Sequence, residues 1–215
     1  MKKNLQFSIF SICFFIVFIF CNGIESPQYT VIHTESDFEI RLYRESAWMS
    51  APVRDISFEK ATKLGFHRLF QYIQGANLNN SRISMTTPVL TSIVSAGPFQ
   101  SSAYNVRFYL PVKFQGIPPL PLPELDLRPV ASGSHCVAVR KFSGFARDKN
   151  IVAEAEKLSV SLTRSPWANS TAKGTYGYSI AQYNSPFRFI RRVNEVWVNL
   201  DGSKVEGCQS DVATF

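Results

Sequence analysis

The sequence lacks most of the short motifs that mark an enzyme or a metalloprotein. It has no CxxC pair, no two histidines at the spacing of metal ligands and no glycine-rich phosphate-binding loop. The segment Ser132-Gly133-Ser134-His135 is not a nucleophile elbow, which needs a glycine on both sides of the serine at fixed spacing. We therefore expect a binding protein without enzymatic activity and without a resident metal ion.

Long runs of one charge are also absent. Lysine and arginine number 23 against 16 acidic residues, a formal net charge of +7, but the cations are scattered and the densest pair is Arg191-Arg192. Nucleic-acid backbones are bound through clustered cations, so we expect no nucleic-acid partner. The positive balance still favours an anionic small molecule.

The N-terminus has the pattern of a secretory signal peptide over residues 1–23. Two lysines precede an apolar stretch from Phe7 to Phe20, and Cys21-Asn22-Gly23 offers small residues for cleavage after Gly23. An uncleaved anchor is the alternative, but the apolar stretch is shorter than the roughly 20 residues of a spanning helix. We expect entry into the secretory pathway, an extracellular destination and no membrane span after cleavage.

Secretion leaves two cysteines in the mature chain, Cys136 and Cys208. They either form one disulfide in an oxidising compartment or remain a buried structural cysteine and a mobile thiol, and the sequence leaves both open. Asn79 and Asn169 begin glycosylation sequons in turn-like segments.

The chain suits one domain with an internal duplication, because 215 residues with 45% hydrophobic content can form a substantial core. Val139–Phe142 resembles Ile40–Tyr43 in sequence and follows it by 99 residues, and Pro186 follows Pro88 at a similar distance. We interpret this echo as a sign of two equivalent halves. Helical spacing of apolar residues predicts helices over Phe58–Ile73 and Asn150–Leu162. Alternation and β-branched content predict strands around them at Phe38–Tyr43, Ile83–Val94, Val106–Leu110, Val139–Phe142, Tyr176–Tyr183 and Glu195–Leu200.

These elements predict an α+β fold built from two strand-helix-strand-strand units. We expect a distorted antiparallel β-barrel flanked by two helices, with halves at about 29–112 and 135–200. Prolines at 118, 119, 121 and 123 predict a stiff linker over residues 116–123. The domain should span 24–202, followed by a flexible tail over 203–215.

The first helix has a feature that core packing does not require. Ser57 is a suitable N-cap, and the core stripe should contain Phe58, Ala61, Gly65, Leu69, Tyr72 and Ile73. Phe66 and Phe70 lie on one flank of that stripe, with Lys63 a turn earlier. A shallow apolar slot with a positive rim suits a flat, apolar, anionic ligand.

The same segment carries a family resemblance. GFHRLFQYIQGAN and ISMTTPV, together with FEIRLY, VRFYLP, AVRKFSG, YN.PF and NEVW in that order, resemble the SOUL family of haem-binding proteins over roughly Tyr29 to Leu200. The resemblance implies a distorted barrel with two helices. It also implies reversible binding of haem or protoporphyrin, in a carrier, buffer or scavenger role.

The family's pocket corresponds here to one helix and one loop. The resemblance implies contacts from Lys63, Phe66, Leu69, Phe70, Gln71 and Arg188, with the two cations paired to propionates. Some relatives carry a histidine where this chain has Leu42, and that histidine has been proposed as an iron ligand. Because it is absent here, the resemblance implies no axial ligand. His67 should lie in the polar arc of the helix, away from the slot. A secreted module that binds another lipid, peptide or apolar small molecule is the alternative, and the oligomeric state stays open.

Overall fold

The computed structural model describes residues 23–55, 57–94, 103–174 and 177–208, so the predicted signal peptide lies almost wholly outside the described residues. Two helices, α1 and α2, span Phe58–Ile73 and Asp148–Thr163. No helix within these ranges is long and apolar enough to cross a bilayer. The nine strands described, β1 to β9, are Tyr29–Thr34, Glu39–Tyr43, Ser46–Arg54, Val89–Val94, Ala103–Tyr109, Arg128–Ser132, His135–Ser143, Tyr178–Gln182 and Val193–Leu200.

The strands form one antiparallel, curled half-barrel sheet in the order β1-β2-β7-β9-β8-β4-β5-β3-β6. Without β1, the sheet has an internal twofold repeat in which β2, β3, β4 and β5 of the first half correspond to β6, β7, β8 and β9 of the second. The α+β fold and its duplication are therefore confirmed. Each unit is strand-strand-helix-strand-strand, one strand more than the sequence predicted.

The repeat lies in a different register from the predicted one. Equivalent elements begin 89 or 90 residues apart, as at Ser46 and His135 or at Phe58 and Asp148. The echo between Ile40–Tyr43 and Val139–Phe142 instead relates β2 to β7, which are neighbours that pair side by side. That echo was wrong as evidence of equivalence, although the duplication it suggested exists.

Three strands, β1, β3 and β6, were not predicted, and the predicted strand Ile83–Val94 is too long. Only Val89–Val94 joins the sheet. Before it, the Ile83 amide donates to the Ile73 carbonyl at 2.9 Å, so this stretch closes the end of α1. The peptide bond between Thr87 and Pro88 is cis.

Both helices pack on one face of the sheet. The stripe predicted for α1 is buried as expected, and Ser57 caps the helix by accepting from the Lys60 amide. The two helix N-termini also cap each other: Asp148 accepts from the Phe58 amide at 2.6 Å, and Glu59 accepts from the Asp148 amide at 3.2 Å. These carboxylates stabilise the dipoles of both helices and fix their relative positions.

The end of the domain is tied down beyond the predicted boundary at residue 202. Cys136 and Cys208 form a disulfide with their Cα atoms 5.8 Å apart, which resolves the open alternative. Val205 and Cys208 are buried, so residues 203–208 belong to the fold and not to a flexible tail.

The proline-rich segment is more than a linker. Leu120 accepts from the Leu78 amide at 2.8 Å, and Pro119 accepts from the Tyr72 hydroxyl at 2.8 Å. The segment therefore crosses the C-terminal end of α1 and fastens it, which holds one end of the helix in place.

Candidate functional site

A groove of about 380 Å³ lies between α1 and the loop that joins β8 to β9. We call it the α1 groove; its walls comprise Phe58, Glu59, Thr62, Lys63, Phe66, His67, Val89, Ala146, Gln182, Asn184, Pro186 and Arg192. Its volume falls at the lower end of the range for small-molecule sites, roughly 300–1,000 Å³. It is open on one side and suits a ligand that is only partly enclosed.

Phe66 forms the aromatic wall of the α1 groove. Its ring packs against Phe108 of β5 with centroids 5.4 Å apart, and it stacks on Phe70 at 5.8 Å with 13° between the planes. Phe70 is 43% exposed. The pair presents a continuous apolar surface, held by the sheet at one side and open to solvent at the other.

Arg192 forms part of the opposite wall, a role that was not predicted from the sequence. The side chain is buried, and its guanidinium donates to the carbonyls of Asn184, Ser185 and Arg188. It also lies 4.3 Å from the ring centroid of Phe145. Burial, with Arg188 nearby, lowers the pKa of Arg192 from its ordinary value. Arg192 thus shapes the loop from inside.

The six predicted contact residues do not all reach this groove. Lys63 and Phe66 line it, and Phe70 extends its aromatic wall. Arg188 lies in the β8–β9 loop but not on the groove wall; its side chain is exposed, and its Nε donates to the Ile190 carbonyl at 3.2 Å. Its place on the groove wall is taken by Arg192.

Two predicted contacts lie elsewhere. Leu69 is fully buried among the core residues beneath α1, so it offers no surface to a ligand. Gln71 lines a separate groove on the other side of α1, with Pro52, Val53 and Arg68. Both corrections follow from the helical wheel, because Leu69 belongs to the core stripe and Gln71 lies beyond it.

The histidines need one correction. His67 is exposed, as expected, but it lines the α1 groove and its ring centroid lies 6.4 Å from that of Phe66, so it is not remote from the slot.

The other two histidines lie away from the α1 groove. The His33 ring lies against Trp167, and His135 lies near Tyr43, where burial lowers the pKa of His135. Leu42 packs against the core on the α2 side. No group of three His, Cys, Asp or Glu side chains arranged for a metal ion occurs among the described residues.

The face of the sheet opposite the helices contains a second polar feature, centred on Glu195. Its carboxylate accepts from Tyr183 at 2.6 Å, from the Trp197 indole at 2.8 Å and from Arg41 at 3.0 and 3.2 Å. Arg41 is 1% exposed and also donates to Glu39. Arg41 of β2 is thus the cation that pairs with Glu195.

The positive charge of Arg41 compensates the negative charge of Glu195 within this buried network. Burial would lower the pKa of Arg41, but Glu195 and Tyr43 more than offset this and hold it above its usual range. Burial, together with Glu195, raises the pKa of Tyr183. The network therefore keeps its charges in place, and we assign it a structural role.

Comparison with known proteins agrees with this architecture. The family described as SOUL heme-binding protein matches residues 24–199. Heme-binding protein 2 of Homo sapiens is 36% identical over 163 residues, covering 75% of this chain and 77% of the relative. Heme-binding protein 1 of Xenopus laevis is 29% identical over 164 residues, covering 74% and 82%. The EcmrR C-terminal domain shares the fold, with a TM-score of 0.53 at 9% identity over 80% of this chain and 97% of that one.

Proposed function

Because the chain belongs to the SOUL haem-binding family, we propose that it binds haem or a related tetrapyrrole reversibly in the α1 groove, as a carrier, buffer or scavenger. The observation that carries the proposal is the combination of an aromatic wall at Phe66 with the exposed cation of Lys63 on one face of α1. A macrocycle would lie against the aromatic wall and the neighbouring Val89 and Ala146. Its propionates would project toward Lys63.

The residues of the α1 groove fit such a ligand without a strong iron bond. His67 is the one histidine on the groove wall, and it belongs to no group of three or more His, Cys, Asp or Glu side chains arranged for a metal ion among the described residues. Haem would supply redox-active iron, whereas this chain supplies apolar contact area and charge pairing.

We expect metal-free protoporphyrin to bind within about tenfold of haem, since removing the iron removes no strong ligand. His67→Ala should leave both affinities nearly unchanged. Titrations of the chain from Ile24 onward, followed at the Soret band, measure both. A hundredfold loss for haem alone in His67→Ala would restore His67 as an axial ligand. A colourless protein that shifts no Soret band would overturn the proposed function.

Charge reversal at Lys63 tests the placement of the propionates. Lys63→Glu should weaken protoporphyrin binding by roughly three- to tenfold, because an exposed ion pair contributes up to about 1 kcal/mol and the new carboxylate repels the ligand. The loss should shrink as salt is added. Lys60→Glu is the matched control: Lys60 is exposed on the same helix but does not line the α1 groove. Equal losses in both variants would mean that only net charge matters.

We also propose that the protein matures in the secretory pathway. The disulfide between Cys136 and Cys208 supports this, because such bonds persist in oxidising compartments. Asn79 and Asn169 are both exposed and available to a glycosyltransferase. Intact-mass analysis of the native protein should show an N-terminus near Ile24 and glycan at either asparagine. An unprocessed Met1 terminus would contradict the proposal.

A further inference from the structure

The loop between β8 and β9 displays three large apolar side chains to solvent. Phe187 is 84% exposed, Phe189 73% and Ile190 76%. We call these three residues the apolar tip. Exposed apolar residues are common singly, but three within four positions form a patch with an energetic cost that a folded protein rarely carries without use.

Hydrogen bonds at the base of the β8–β9 loop hold the apolar tip in its exposed position. Below it, Arg192 is buried and donates to three loop carbonyls, and the Val193 amide donates to the Asn184 side chain at 2.6 Å. Arg191 adopts a positive φ of 52°, which non-glycine residues keep only where the surroundings hold them. The loop is therefore a built feature that projects the tip.

The charged residues of the loop itself all have one sign. Arg188 and Arg191 are exposed beside it, and no acidic residue occurs in the sequence from Tyr183 to Asn194. The pattern combines aromatic or aliphatic side chains that favour an apolar medium with guanidinium groups that pair with phosphate.

We propose that the apolar tip docks this protein on the surface of a bilayer containing anionic phospholipid. Phe187, Phe189 and Ile190 enter the boundary between headgroups and acyl chains, while Arg188 and Arg191 contact lipid phosphates. A protein partner fits less well, because a stable protein interface needs about 20–30 residues on each side, and three projecting side chains supply far fewer.

Docking in this way would bring the α1 groove close to the membrane, because Asn184, Pro186 and Arg192 of the same loop line it. A ligand that partitions into lipid would then enter the groove without crossing water. The docking itself does not require a ligand, so it stands or falls independently of tetrapyrrole binding.

Flotation with phosphatidylcholine vesicles, with and without phosphatidylserine, tests the proposal on the ligand-free chain from Ile24 onward, which contains every described element of the fold. We expect binding to the anionic vesicles that weakens as salt rises. The variant with Phe187, Phe189 and Ile190 all changed to Ser should bind at least tenfold more weakly. Arg188→Gln with Arg191→Gln should abolish the preference for phosphatidylserine. Phe189→Trp should show a blue-shifted emission on these vesicles if the tip enters the bilayer.

The matched control is Val112→Ser with Ile117→Ser, since Val112 is 72% and Ile117 90% exposed on a different segment. This variant should bind like the parent protein. Circular dichroism should show the fold of all variants intact, because every changed side chain is exposed. The proposal would be overturned if the parent protein did not bind vesicles, or if the triple variant bound them equally well. It would also be overturned if the parent formed a dimer that the triple variant does not form, and neither protein bound vesicles.

Discussion

Replacing Arg41 by methionine is expected to lower the free energy of unfolding by about 3–5 kcal/mol. Methionine fills much of the same volume but removes the cation that faces Glu195 at 3.0 Å, and both side chains are almost fully buried. The Glu195 carboxylate would keep its bonds from Tyr183 and Trp197 but lose its compensating charge. Urea denaturation followed by tryptophan fluorescence measures the change.

Two variants show whether the uncompensated charge causes that loss. Adding Glu195→Gln to Arg41→Met should recover at least half of the stability, since a neutral amide oxygen still accepts from Tyr183 and Trp197. Lys141→Met breaks an exposed ion pair with Glu39 in the same network and should cost less than about 1 kcal/mol. A cost below 1 kcal/mol for Arg41→Met would show that water reaches Glu195 and that the network is not closed.

The sequence predicted α1 to the residue because every determinant of that helix is local. Its apolar period, the Ser57 cap and the glycine after its end all lie within one short segment. By contrast, β3 was missed because it is buried on both faces, so it shows no alternation, and it contains Pro52. Such a strand is identified only by its partners, β5 and β6.

The register of the repeat was wrong for a related reason. In β2, Ile40 faces the helices and Arg41 the opposite side of the sheet, whereas in β7 Val139 lies on the opposite side and Arg140 pairs with Glu154 of α2. The two segments therefore match in residue types but place the matched residues on opposite faces, so the match does not indicate equivalent strands. The starts of α1 and α2, 90 residues apart, are the better measure because whole elements recur there.

The residues of the candidate site also differ in how far they could be predicted from local sequence. Lys63 and Phe66 were predictable from the helical wheel, since both positions are set by α1 alone. Val89, Ala146 and Arg192 reach the groove from three distant segments, and only the tertiary fold brings them together. Arg192 was visible in the sequence as half of a basic pair, but its burial and its three carbonyl partners depend on the shape of the loop.

Gly65→Ala should destabilise the protein by about 1–3 kcal/mol, although alanine is the better helix former by about 1 kcal/mol. Gly65 faces the sheet from the middle of α1, and a Cβ added there would lie 2.6 Å from the Val106 Cβ, closer than side chains can pack. Val106 is fully buried and cannot turn away. The helix must therefore move outward or the strand must bend.

That movement should also reach the ligand site, because Lys63 and Phe66 lie within two residues of Gly65 on the wall of the α1 groove. We expect protoporphyrin affinity to fall together with the denaturant midpoint in Gly65→Ala. Gly116→Ala is the matched control, since nothing lies within 4 Å of a Cβ at Gly116 and its backbone suits any residue. That change should be neutral or stabilising by up to about 1 kcal/mol through the unfolded state. A raised midpoint in Gly65→Ala would mean that α1 sits farther from the sheet than the structure places it, and the α1 groove would then be correspondingly wider.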